Sequence, residues 1–311
     1  MLNGNKYIYL ETSAVNFLLD NFTFQELSTI KAACYDADKI LFCISTPTIF
    51  EILSTTDENR REQLIYTLQN ICYNRLMNSP AEFIINYINA GMPKEEPKYE
   101  FYSKLNIANT WTEICKDTCK TFIYDFNDVQ NRKSFLSKEF KNIISEIFYN
   151  DTTWGNQINK ILKLDLKYSK MNDYEILVKK ICWVLILLIL CAGISFDNTC
   201  IDNFWKQYNC EKTEDRANFA LFNLNQLTEH GPVVMMARMW IAQSGNINRG
   251  TLLDMFHSIY IVYSDIFLTN DHHFEELKMS DTYEYFQKID IISQNEFFKQ
   301  VMLYKNNSDI S

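Results

Sequence analysis

Four acidic residues of this sequence lie beside short apolar segments near the two ends of the chain. They are Glu11, Glu51, Asp254 and Asp271. Carboxylates that gather within about 4 to 6 Å repel each other unless a cation neutralises them. Mg²⁺ and Mn²⁺ take oxygen ligands, and Mg²⁺ keeps several waters, which leaves positions for phosphate oxygens and an attacking water. Together the four residues predict a Mg²⁺ or Mn²⁺ site suited to the hydrolysis of a phosphodiester.

The first of these carboxylates follows a predicted strand. Lys6–Leu10 is a short apolar segment typical of a buried strand, and Glu11 comes directly after it. Thr12 and Ser13 then stand where a helix N-cap belongs, ahead of residues with helical apolar spacing. The sequence therefore predicts a strand that leads directly into a helix, with Glu11 between them.

The second carboxylate, Glu51, also follows a predicted strand that leads into a predicted helix. Ile40–Ile44 predicts another buried strand from its length and its β-branched residues. Ser45-Thr46-Pro47 predicts the start of a helix, and Glu51 lies about one turn into that helix.

The C-terminal part of the chain supplies the other two carboxylates. Leu252–Val262 has helical spacing and contains Asp254, and Ile266–Leu268 predicts a short strand before Asp271. Lys288–Ile292 predicts one more strand. Helices that alternate with short apolar strands are typical of a parallel sheet covered on both faces. Because such sheets bind ligands at the carboxyl ends of their strands, the four carboxylates are expected to converge there.

The long middle of the chain shows helical spacing and almost no strand signal. We therefore predict a discontinuous α/β core from residues 1–56 and 250–311, with residues 57–249 as an all-α insertion. The apolar run Ile181–Ile194 is shorter than the roughly 20 residues of a spanning helix, so we predict a buried helix and no membrane association.

Composition narrows the class of protein. A net charge of -9 gives no overall attraction to a phosphate backbone, so nucleic acid would need local basic residues or bound cations. The 9 cysteines lack the spacing of a zinc site, and reduced thiols fit them best. Residues 1–9 lack the pattern of a secretion signal. From these features we expect a cytoplasmic protein.

Four segments resemble the signature motifs of PIN-domain nucleases. The segments are Tyr9–Ser13, Phe50–Ile52, Asp254–His257 and Asp265–Phe274. The resemblance spans only residues 1–54 and 250–311, and it implies a PIN-like parallel sheet flanked by helices. It also implies that the metal-binding and catalytic carboxylates are Glu11, Glu51, Asp254 and Asp271.

The same resemblance implies roles for residues around the metal. Ser13 and Thr269 would support the site through their hydroxyls, and Asp265 would lie at its edge. His257, one turn after Asp254, is a candidate partner or general base, although a histidine on an apolar helix is more often a packing residue.

The resemblance implies a metal-dependent endoribonuclease that acts on RNA, with single-stranded DNA as a second candidate substrate. Because the family is rich in toxins of toxin-antitoxin and defence systems, a protein partner that inhibits or activates the enzyme is expected. Glu11 stands where the family has Asp, and its extra methylene moves the carboxylate by roughly one bond, about 1.5 Å. A catalytically impaired scaffold that binds nucleic acid or a protein is therefore the alternative. An aspartyl phosphatase fits less well because its nucleophilic Asp would have to replace Glu11.

A histidine pair and a series of lysines are two further candidates for binding a metal ion or phosphate. His272-His273 beside Asp271 raises the question of a transition metal, but adjacent histidines in a turn seldom both face one ion, so local hydrogen bonding is the prediction. Four lysines recur at helical spacing and could contact phosphate, although a solvated helix face is the commoner interpretation. These lysines are Lys160, Lys163, Lys167 and Lys170.

Overall fold

The computed structural model describes residues 6–72, 75–92, 173–193, 198–243, 249–279, 290–293 and 295–299. The chain forms two compact units. Of the described residues, the first unit contains those up to Asn78 and those from Tyr260 onward. The second unit contains those between Ser79 and Ile259. The four-lysine pattern predicted as a helix face lies outside the described residues.

Strands and helices are numbered in chain order within the described residues. The strands are β1 (Lys6–Leu10), β2 (Ile40–Cys43), β3 (Ile266–Thr269) and β4 (Asp290–Ser293). The helices are α1 (Thr12–Asn21), α2 (Phe24–Asp38), α3 (Thr46–Leu53), α4 (Glu58–Ile71), α5 (Pro80–Asn89), α6 (Asp173–Ile186), α7 (Asn198–Gln207), α8 (Thr213–Asn223), α9 (Pro232–Ala242), α10 (Arg249–Ser258) and α11 (His272–Met279). The π-helical turn Leu187–Cys191 follows α6. The 3₁₀ helices are Asn225–Thr228 and Ile259–Tyr263. Residues 295–299 are also helical.

All four strands of the first unit form one parallel sheet in the order β2-β1-β3-β4. The chain passes from β1 to β2 on one side, and β3 then pairs with the other side of β1. The border between β1 and β3 is therefore the point where the strand order reverses, and the carboxyl ends of strands at such a point form the usual ligand crevice of an open α/β sheet.

The strands agree with the predicted positions to within two residues. β1 has the predicted bounds, β2 ends one residue earlier, and β3 extends one residue further to Thr269. In the C-terminal helical segment, α10 ends at Ser258 and a 3₁₀ helix continues to Tyr263. The prediction of a parallel sheet flanked by helices is confirmed.

Helix α4 belongs to the core of the first unit. Its buried residues Leu64, Leu68 and Ile71 join the same apolar cluster as Ile8 of β1 and Phe42 of β2. Removing such apolar area from water is the main force that holds helices against a sheet. The compact unit therefore extends to Asn78, beyond the predicted boundary at residue 56, while α10 is part of the second unit.

The second unit is helical throughout its described residues. Most of α6 from Val178 onward is buried, and the π-helical turn after it remains buried. The Trp205 indole N–H donates to the Leu190 carbonyl at 2.5 Å, which satisfies a carbonyl within that turn. Within the described ranges, no helix is both long enough and apolar enough to cross a membrane.

Candidate metal centre

The carboxylate of Glu11 lies at the carboxyl end of β1 and is almost completely buried, with 5% of the residue exposed. The Thr269 hydroxyl, at the end of β3, donates to Glu11 Oε1 at 3.0 Å, and the Ser13 hydroxyl donates to the same oxygen. Burying a carboxylate is costly unless hydrogen bonds or a cation compensate it. These hydroxyls provide part of that compensation at the β1/β3 border.

Glu11 is also the N-cap residue of α1, where Thr12 or Ser13 was predicted. Its carbonyl accepts from the backbone N–H groups of Ala14 and Val15 at 3.1 and 3.2 Å. No side chain caps this helix. The two hydroxyls predicted to cap the helix point to carboxylates instead, because Thr12 donates to Glu51 and Ser13 donates to Glu11.

Asp271 follows β3 by two residues and is linked to Glu11 through Thr269. The backbone N–H of Asp271 donates to the Thr269 hydroxyl oxygen at 2.9 Å. Asp271 Oδ1 in turn accepts from the backbone N–H of His273 at 2.9 Å, at the start of α11. Thr269 therefore fixes the positions of both acidic residues, with its hydroxyl donating to one and accepting from the other.

Glu51 enters the same network from α3. Thr12, which follows Glu11 in the chain, donates its hydroxyl proton to Glu51 Oε2. In the first unit, Thr269 thus links Glu11 to the backbone of Asp271, and Thr12 brings Glu51 next to the Glu11 segment. Each of these carboxylates follows the carboxyl end of a different strand, β1, β2 or β3.

Tyr9 supports this end of the sheet from within the core. Its ring stacks on Tyr260 and Phe267, with ring centroids 4.9 and 5.0 Å apart, and its hydroxyl lies 2.5 Å from that of Ser45. Burial raises the pKa of Tyr9 well above its usual value, the bond to Ser45 lowers it, and the charge of Glu11 raises it further. Tyr9 therefore remains a neutral hydrogen-bonding group that couples β1 to α3.

The structure assigns Asp265 a role different from the predicted one. Its carboxylate accepts from the Tyr7 backbone N–H at 2.7 Å, and its own N–H donates to the Tyr7 carbonyl at 2.9 Å. Asp265 precedes β3, so it lies at the amino ends of the strands, opposite the end that holds Glu11. The predicted position at the edge of the site is therefore corrected, since Asp265 extends the pairing of β1 and β3.

Asp254 and His257 lie on α10 in the second unit. Asp254 Oδ2 accepts from the Gln243 side-chain amide at 2.7 Å, and His257 is fully buried. The predicted participation of these two residues in metal binding stays a prediction.

The imidazole rings of His272 and His273 lie close together, although adjacent histidines are expected to face different directions. Their ring centroids are 4.0 Å apart, and His272 Nδ1 is 3.7 Å from Asp271 Oδ1. One ligand atom from each of these three residues lies within 4.8 Å of the other two. Adjacent residues in a regular helix face different directions. Here the pair occupies the first two positions of α11, and the two rings converge.

Sequence reasoning missed Thr12 and Tyr9 as members of the site. Both lie within two residues of Glu11, and the Thr12 hydroxyl resembles a helix cap because Ser and Thr are common at that position. For Thr12, the signal available in the sequence is a hydroxyl next to a predicted metal-binding carboxylate.

Comparisons of the chain with protein-family models, curated proteins and solved structures found no match. The resemblance to PIN-domain nucleases therefore rests on the motifs given above.

Proposed function

We propose that this protein is a PIN-like, metal-dependent endoribonuclease whose active site lies at the carboxyl ends of β1 and β3. The observation that carries the proposal is the buried Glu11 carboxylate at this border, bonded to Thr269 at 3.0 Å. Open α/β sheets bind ligands where the strand order reverses, and that is where Glu11 and Asp271 are linked.

The donor atoms around the site fit Mg²⁺ or Mn²⁺. Glu11, Glu51 and Asp271 supply carboxylate oxygens, and the residues that link them supply hydroxyl oxygens. Hard divalent cations prefer such oxygen ligands. When bound, a divalent ion of this kind polarises a phosphodiester and lowers the pKa of an attacking water.

The side chains of the network have separate roles in this proposal. The three carboxylates of the first unit hold the cation, while the hydroxyls fix their orientation. Ser13 and Thr269 orient Glu11, and Thr12 orients Glu51. Orientation matters because a catalytic group must be held near its productive geometry before the reaction begins.

Asp254, with His257 in a supporting role, is proposed as a metal-binding residue on the strength of the sequence motifs alone. RNA is the proposed substrate, and single-stranded DNA is the second candidate. The motifs also suggest a toxin or defence role in the cytoplasm, with a protein partner that inhibits or activates the enzyme.

The test is cleavage of labelled RNA and single-stranded DNA by the purified full chain with Mn²⁺, with Mg²⁺ or with a chelator. Glu11→Gln and Asp271→Asn should each lower metal-dependent cleavage by roughly 100-fold or more, as when one group that stabilises developing charge is removed. The matched control is Asp36→Asn, because Asp36 is an exposed carboxylate on α2. Circular dichroism would verify that each variant is folded.

Equal cleavage by wild type and by both site variants would contradict the proposal, as would cleavage that persists in chelator. If no metal and no substrate yields cleavage, a nuclease active on its own is ruled out. If the inactive protein still binds RNA, the result would support the alternative function, a catalytically impaired scaffold that binds nucleic acid. The observation that favours this alternative is glutamate, in place of aspartate, at position 11.

A further inference from the structure

We propose that Asp271, His272 and His273 form a binding site for a first-row transition-metal ion that accepts imidazole nitrogen, such as Zn²⁺ or Co²⁺. This site goes beyond the proposed nuclease centre, which uses oxygen donors alone, and its existence does not depend on nuclease activity. Asp271 is the residue that the two sites have in common.

The three ligand atoms already lie close to a binding arrangement. All lie within 4.8 Å of one another, and His272 Nδ1 is 3.7 Å from Asp271 Oδ1. Ligands of a tetrahedral ion are roughly 3.4 Å apart, the separation given by bonds of about 2.1 Å. Rotation of His272, whose side chain is 71% exposed, can contribute to the remaining closure.

The carboxylate of this cluster is held in place while retaining an oxygen for a metal. Asp271 Oδ1 accepts from the His273 N–H, and the Asp271 N–H donates to Thr269. Among the described residues, Oδ2 of Asp271 receives no hydrogen bond. Rotation of His272 from Oδ1 toward Oδ2 of the same carboxylate would let a metal bind at Oδ2 with both backbone bonds intact, so the start of α11 need not unfold.

The capping of helix α11 by Asp271 explains only part of the arrangement of Asp271, His272 and His273. An N-cap aspartate accounts for the bond from His273 N–H to Oδ1. It does not require two imidazole rings with centroids 4.0 Å apart beside the same carboxylate. The positive end of the α11 dipole opposes any cation, and the negative charge of Asp271 offsets that effect.

The donor set determines which ions should bind. Imidazole suits Zn²⁺, Co²⁺, Ni²⁺ and Cu²⁺, whereas Mg²⁺ prefers oxygen. Co²⁺ is the probe of choice because its visible absorption becomes much stronger when the hydrated octahedral ion enters a four-coordinate site, and His272→Ala then tests whether imidazole is a ligand. We expect Co²⁺ binding at this site to survive an excess of Mg²⁺.

The experiment is a Co²⁺ titration of the full chain, with any polyhistidine tag removed, followed by visible absorption. His272→Ala should weaken Co²⁺ affinity by about 10-fold or more, since even the loss of an outer-shell partner commonly costs that much. Asp271→Asn should weaken it as well. His230→Gln is the matched control because His230 lies in the second unit, where its ring contacts the Met92 carbonyl.

The outcomes separate this site from the nuclease centre. Loss of the Co²⁺ spectrum in His272→Ala, with Mg²⁺-dependent RNA cleavage retained, supports a separate imidazole site. A spectrum that His272→Ala leaves unchanged overturns the proposal, whether or not Glu11→Gln removes it. Absence of any Co²⁺ spectrum in the wild type also overturns it, without bearing on cleavage with Mg²⁺. Because His272 is exposed, its substitution is not expected to disturb folding.

Discussion

The Thr269 hydroxyl donates to the Glu11 carboxylate at 3.0 Å across 258 positions of sequence. The same hydroxyl oxygen accepts from the Asp271 backbone N–H at 2.9 Å. One buried threonine therefore connects the ends of two inner strands to the two acidic residues that follow them. This connection assembles the proposed centre from the N-terminal and C-terminal parts of the chain.

Thr269→Val should destabilise the protein by about 1–3 kcal/mol, because it leaves buried polar groups without their hydroxyl partner. It should also lower metal-dependent cleavage, because Glu11 loses one of its orienting contacts. Urea unfolding measures the first effect, and the RNA assay measures the second. Thr29→Val is the control, since the exposed Thr29 hydroxyl donates only to its own helix at Gln25. Equal stability of Thr269→Val and wild type would contradict the role of this hydroxyl.

Glu11→Asp should lower both the stability and the metal-dependent cleavage of the protein, even though PIN-domain nucleases, which this sequence resembles, have aspartate at this position. Removing one methylene withdraws the carboxylate by roughly 1.5 Å, which breaks the bond to Thr269 unless the backbone moves. A hydrogen bond to a charged group contributes about 1.5–3 kcal/mol, and a loss of that order is expected in urea unfolding. Glu58→Asp, at an exposed position on α4, is the comparison. A Glu11→Asp variant that is both more stable and more active would show that the length of Glu11 is a defect.

The Asp20–Arg60 ion pair should contribute stability that depends on pH. The hydrogen bond from Arg60, 2.6 Å from its Nη1 to Asp20 Oδ1, holds the pKa of Asp20 below its usual value. Because the folded pKa is lower than the unfolded one, this contribution is fully present above the unfolded pKa. It is lost as the pH falls through the folded pKa.

A double-mutant cycle with Asp20→Asn and Arg60→Gln isolates this coupling from the effect of either charge on its helix. The Asp20 side chain is 52% exposed and the Arg60 side chain is 34% exposed, so solvent screens the pair. A coupling of about 0.2–1 kcal/mol is expected at pH 7. It should shrink as the solution is acidified below the usual aspartate pKa of about 3.9. A coupling that grows on acidification would contradict the assigned direction.

The described cysteines should differ in their reaction with thiol reagents. Burial raises the pKa of Cys43, Cys72 and Cys182, and raises that of Cys191 to about 12. Cys200 is only partly buried. Because the thiolate is the reactive form, Cys200 should be alkylated first among the described cysteines. Peptide mapping after brief alkylation measures this order, with Cys200→Ser as the control, and early labelling of Cys72 would contradict it.

Much of the sheet could be predicted from sequence because its strands are short apolar runs followed by helix-start signals. The placement of Glu11, Glu51 and Asp271 just after the carboxyl ends of three strands follows from the rule that parallel strands present those ends together. The hydrogen-bond partners did not follow from that rule. Thr12 and Ser13 have the residue types of helix caps, and only the tertiary structure shows that they donate to carboxylates.

Prediction and structure also differ at Asp265 and at the pair His272 and His273. Asp265 resembles a site residue by its place in the motif, although the predicted strand start at Ile266 already puts it at the amino end of β3. For the histidine pair, the usual divergence of adjacent side chains predicts that the two rings do not face one ion. The close approach of its rings at the first turn of α11 is a tertiary feature.

The most direct test of a metal ion at the β1/β3 border is backbone cleavage by bound Fe²⁺ with ascorbate and peroxide, mapped by mass spectrometry. Radicals formed at the ion cut the nearest chain segments, so cuts are predicted both near Glu11 and near Thr269. Because the proposed imidazole site can also hold Fe²⁺, the comparison is made in His272→Ala, where the cuts should persist and where the addition of Glu11→Gln should abolish them. Cuts confined to other segments, or cuts that Glu11→Gln leaves unchanged, would contradict a metal centre built on Glu11.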